Sequence, residues 1–62
     1  MFIEFPSSNS DHNITVGCLH IAAIAPDKGK PDCTIIELSN GKLCYVKGNY
    51  NQIHQAIKEM CK

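Results

Sequence analysis

CTIIELSNGKLCYVK, Cys33 to Lys47, decides the fold of this 62-residue chain. Asn40-Gly41 sits between two apolar runs, and that dipeptide takes the positive φ angles of a two-residue type I′ hairpin turn. A turn of that kind predicts a register in which Leu38 faces Leu43, Glu37 faces Cys44, Ile36 faces Tyr45 and Ile35 faces Val46. One hairpin face then carries Leu38, Leu43, Ile36 and Tyr45, and the other carries Ile35, Val46, Cys33 and Cys44. Both faces are mostly apolar, so the hairpin needs a cover on each side.

Upstream of the hairpin, Met1 to Phe5 is short and partly alternating, which suits a strand ended by Pro6. Pro6 to Asn13 (PSSNSDHN) is loop by composition. Ile14-Thr15-Val16 predicts a brief strand, Gly17-Cys18-Leu19 a tight turn, and His20 to Ala25 a third strand. Pro26 to Asp32 (PDKGKPD) predicts the outer turn that leads into the hairpin. Beyond it, Asn49 stands as a helix N-cap with Gln52 in the capping-box position. From Tyr50 to Cys61, apolar Tyr50, Ile53, Ala56, Ile57, Met60 and Cys61 recur at spacings of three and four, the pattern of an amphipathic helix. Ile53, Ile57 and Met60 are expected to meet the inward hairpin face.

The expected architecture is therefore α+β: one domain over residues 1–62, a small antiparallel β-meander of about five short strands with one C-terminal amphipathic helix on one face. A helix of about three turns is roughly 18 Å long and covers only one side of such a sheet. The other side is expected to be covered by a second copy, which makes the chain a homo-oligomer. Ile35, Ile36, Leu38, Leu43 and Val46 are the candidate core or oligomer face.

Six lysines and no arginine balance six acids. This argues against a nucleic-acid-binding protein built on a broad basic surface. No apolar run approaches the roughly 20 residues of a membrane span, and no basic leader opens the chain, so a soluble cytoplasmic protein is expected. Cys18, Cys33, Cys44 and Cys61 contain no C-x-x-C pair. Without a signal peptide they read as free thiols acting as small apolar groups. Cys18 and His20, in C-L-H, lack the spacing of a metal knuckle, so no metal or cofactor is expected. A Cys-His nucleophile pair lacks an orienting third group, and no enzyme is expected. The polar loop supplies the candidate binding residues Ser7, Ser8, Asn9, Ser10 and His12. Tyr45 or Phe5 offers a stacking surface for a small nucleotide-like ligand held between subunits, and a protein partner is the other candidate.

PDCTIIELSNGKLCYVKGNYNQIHQAI, with the upstream LHIAAIAP, resembles the small flagellar and swarming motility proteins called FlbD or SwrD. There a Pro-Asp, a strand, an Asn-Gly-Lys turn, a Tyr-Val strand and a short helix occur in that order. The match covers roughly residues 17 to 57; where those proteins begin with a short hairpin, this chain has the FPSSNSDHN loop. The layout is also similar to the core of the longer LytTR-type DNA-binding domains, and it is common among small phage-encoded proteins. The resemblance implies the fold and a lack of enzymatic activity, with a DNA-binding regulator as the further reading.

Overall fold

The computed structural model describes residues 1–61. Strands β1 (Phe2–Pro6), β2 (Asn13–Gly17), β3 (Ile21–Pro26), β4 (Cys33–Leu38) and β5 (Leu43–Lys47) precede helix α1 (Tyr50–Met60), and a 3-10 turn, Cys18–His20, separates β2 from β3. The fold is the small α+β arrangement of antiparallel strands and one C-terminal helix that the chain predicts. The strands do not form one continuous meander. β1 and β2 make a two-stranded ribbon, β3, β4 and β5 a three-stranded sheet, and a single bridge between Ser7 and Val46 joins them.

The central hairpin differs from its expected register by one residue. Cys33 faces Lys47, Thr34 faces Val46, Ile35 faces Tyr45, Ile36 faces Cys44 and Glu37 faces Leu43. The cause lies in the turn. A type I′ turn needs positive φ at both central residues, but Gly41 alone has it here (φ +87°). The loop is therefore one residue longer: Leu38 N donates to Lys42 O at 2.8 Å, Gly41 N to Leu38 O at 2.9 Å, and Asn40 Oδ1 accepts from Lys42 N at 3.0 Å. Glycine in the left-handed position after the turn is the usual device of such a bulged three-residue loop.

A one-residue slip changes which side chains share a face. Thr34, Ile36 and Leu38 lie with Val46 and Cys44 on the inner side, where Ile36, Val46 and Thr34 are fully buried. Ile35, Glu37, Leu43 and Tyr45 lie on the outer side, so Leu38 and Leu43 occupy opposite faces. Of the five residues expected at the core or oligomer surface, Ile36, Leu38 and Val46 join the core, and Ile35 and Leu43 do not.

Two elements cover the inner side. Ile53 of α1 and Ile3, Phe5 and Val16 of the ribbon close on Ile36 and Val46 as one core, with Ala56 and Ile57 at its margin. Met60, expected in that stripe, is 54% exposed. The ribbon therefore shares the covering assigned to the helix alone, and the outer face of β3–β4–β5 stays open. Thr34 satisfies its buried hydroxyl by donating to Gly48 O at 2.9 Å.

The helix begins as predicted. Asn49 Oδ1 accepts from Gln52 N at 2.8 Å, and Gln52 Oε1 accepts from Asn49 N at 3.2 Å. Asn49→Ala is expected to cost about 1 kcal/mol, read as a lower urea midpoint at unchanged slope. Gly48, just before this cap, has φ +129°, and a Cβ there would stand 2.9 Å from Ile53 Cδ1. Glycine thus permits both the bend and the seating of Ile53.

The cysteines depart from the free-thiol reading. Cys18 and Cys61 form a disulfide, tying the 3-10 turn to the end of α1, while Cys33 and Cys44 remain free. Cys18 and Cys61 lie far apart in sequence, and only the fold brings their Cα atoms to 5.5 Å. Among the described residues no helix is long and apolar enough to cross a membrane.

Candidate functional site

The loop from Ser7 to His12 is knit to itself and to β5. Ser7 N donates to His12 O and Ser8 N to Tyr45 O, both at 3.0 Å. Ser7 Oγ accepts from Asn9 N at 3.1 Å, and Ser10 Oγ accepts from His12 N at 3.3 Å. Ser8 Oγ donates to Asn9 Oδ1 at 3.4 Å and accepts from Cys33 Sγ at 3.4 Å. Ser7 is buried and Ser8 half-buried: the Ser7 hydroxyl shapes the loop and the Ser8 hydroxyl seats it on the sheet, so neither is offered to a ligand. Asn9, Ser10 and His12 remain exposed.

Tyr45 is half-buried on the outer face, opposite Ile35, which in turn faces Ala25. One strand pair along, Ala23, Glu37 and Leu43 form a parallel row, with Ala23 and Leu43 exposed. The loop thus borders a flat strip that carries a single acid in its two rows. Phe5, expected as an alternative stacking ring, is a core residue and cannot serve. The other aromatic stack, Tyr50 on His54 with ring centroids 5.8 Å apart, belongs to α1 and not to the loop.

The concave surface lies elsewhere. A groove of about 410 Å³ runs between Thr15, Val16 and Gly17 of β2 on one side and His20, Leu38, Ser39 and Asn40 on the other. A smaller hollow of about 90 Å³ adjoins it beside Met1, Phe2 and Leu19. Neither is lined by Ser7, Ser8, Asn9, Ser10, His12 or Tyr45. Gly17 borders both, and a Cβ there would stand 2.9 Å from His20 Cδ2. A glycine closing a strand often marks a close approach of another group, and that signal was available in the sequence. The exposure of Leu19, 93%, was not, because it depends on the 3-10 turn lifting that side chain away from the core.

Among the described residues no three His, Cys, Asp or Glu side chains are grouped as a metal site. The sulfurs of Cys18 and Cys61 are engaged with each other. Set against family models, characterised proteins and solved structures, the chain matches none of them.

Proposed function

We propose that this chain is a non-enzymatic, homo-oligomeric binding module that modulates a protein partner. The observation that supports the reading is the open outer face of β3–β4–β5. Ala23, Ala25 and Leu43 are exposed there, and Ile35 and Tyr45 half-exposed, around one carboxylate, Glu37. A largely apolar sheet surface with few charges, beside an ordered polar loop, suits a protein partner better than phosphate or substrate. The resemblance to the FlbD/SwrD group enters the proposal as fold and absence of catalysis.

The test is capture of a partner by the tagged chain, followed by cross-linking that locates the contact. Leu43→Asp and Tyr45→Ala are expected to lower partner recovery at least tenfold while leaving the circular dichroism unchanged. Recovery unaffected by both variants sets the outer face aside. A stoichiometric small-molecule adduct in the native mass spectrum, without a protein partner, assigns the chain instead to ligand sequestration.

A cytoplasmic setting belongs to the same proposal. Cytosolic thiol systems keep such pairs reduced, so this setting requires the Cys18–Cys61 bond of the structure to be open in the cell. Rapid alkylation of intact cells is expected to label both cysteines. A fully oxidised pair assigns the chain to an oxidising compartment.

A further inference from the structure

We propose that the free edge of β2 is the seam on which two copies of this chain join, related by a two-fold axis at Thr15. The inference rests on the homo-oligomeric reading above and specifies which surface carries it.

The hydrogen-bond parity of the ribbon identifies the open groups. Cys18 N donates to Met1 O at 2.9 Å and Ser7 N donates to His12 O at 3.0 Å, and both bonds continue the β1–β2 register. Bonded and non-bonded pairs alternate in an antiparallel ladder, so Ile3 with Val16 and Phe5 with Ile14 are the bonded pairs between them. Pro6, which has no N–H, falls in a non-bonded pair, as this parity requires. Asn13, Thr15 and Gly17 therefore turn their backbone N–H and C=O groups away from β1. β2 has no second strand neighbour. Gly17 C=O, at the N-cap of the 3-10 turn, takes the first bond of that turn; among the described residues no turn or loop bond reaches the N–H groups of Asn13, Thr15 and Gly17 or the C=O groups of Asn13 and Thr15. Thr15 and Gly17 border the groove between β2 and Leu38–Asn40, and Asn13 lies beyond it.

These outward groups are centred on Thr15. Antiparallel pairing with a second copy sets Thr15 against Thr15 of the second copy, Asn13 against its Gly17, and Gly17 against its Asn13, so each open N–H meets a C=O. Thr–Thr is a favourable cross-strand pair. Asn-Ile-Thr-Val-Gly carries no charge and no proline, the usual guards of an exposed edge. Self-pairing therefore opposes no like charges. β1 and β5 meet through the Ser7–Val46 bridge, and β3, the remaining edge, is blunted by Pro26 at its end.

The flanking surface has the size a dimer needs. Phe2, Met1 and Leu19 are 70%, 71% and 93% exposed and gather at the Gly17 end of β2. Phe2 Cε1 lies 3.7 Å from where a Gly17 Cβ would stand, so the ring leans over the bare glycine toward the row that Asn13 and Pro6 of the second copy occupy. Three large apolar side chains offer roughly 450 Å². With the strand itself they approach the about 800 Å² per partner of a stable interface.

Native mass spectrometry and sedimentation at micromolar concentration test the seam. The natural chain is expected at twice its 6.9 kDa mass. Thr15→Lys leaves the β1–β2 ladder intact, because its N–H points outward, and it opposes two cations on the axis. It is expected to weaken dimerisation at least tenfold with unchanged circular dichroism. Thr15→Cys is expected to form a covalent dimer on mild oxidation, while Asn9→Cys does not. A dimer that survives Thr15→Lys and fails to cross-link through Thr15→Cys overturns this seam and leaves a homo-oligomer with another interface. A monomeric natural chain removes both readings.

Discussion

Reduction of the Cys18–Cys61 disulfide is expected to lower the thermal midpoint by roughly 20 °C. The bond joins residues 43 apart, so it closes a loop over most of the chain. Chain-entropy arguments put the stabilisation of a loop that long at about 4 kcal/mol, and measured bonds typically give about 2–4. A domain of this length has a total stability on the order of 3–9 kcal/mol. Loss of the bond therefore removes a large share of it. Cys18→Ser with Cys61→Ser should reproduce the effect of reductant, and reductant should not move the midpoint of that double variant. Calorimetry with and without dithiol makes the comparison; a shift below about 5 °C would mean that packing alone holds the end of α1 to the 3-10 turn.

Ile36→Ala is expected to cost about 3–4 kcal/mol, enough to leave the chain marginal or unfolded at 37 °C. Ile36 is fully buried between the ribbon and α1, at the centre of the single core, and a chain this short has little other apolar contact to offset the cavity. Ile35→Ala, one residue away and on the open face, is expected to cost about 1 kcal/mol or less. The contrast reads which face of β4 is covered, because neighbouring strand residues point to opposite sides. Urea melts of the two variants make the comparison, and equal costs would reject the single covered face described here.

Local rules account for much of this fold. The capping box at Asn49 and Gln52, the stripe through Ile53 and Ile57, the Asp27–Lys30 turn and the strand runs all depend on neighbours within a few residues, and they stand where local chemistry places them. Met60 was misplaced because the helix outruns the core it covers.

The candidate site was less legible. Ser7 and Ser8 look like free hydroxyls in a polar loop, yet Ser7 Oγ is spent on Asn9 N within the loop and Ser8 Oγ on Cys33 of β4, while Ser8 N bonds Tyr45 O; the last two contacts exist only once the loop has folded onto the sheet. The register of the hairpin lay outside local reading for a related reason. Asn-Gly is compatible with two turn geometries, and burial of Ile36 and Val46 under both α1 and the ribbon chose the bulged one.

Sequence by itself determined the elements, their order and the cap of the helix, because these follow from backbone preference and short-range periodicity. Tertiary structure decided the rest. The split into ribbon and sheet, the meeting of Cys18 with Cys61, and the open edge of β2 all arise from contacts between distant segments. Such contacts are selected by the burial of shared apolar surface, a property of the assembled chain that no local stretch carries.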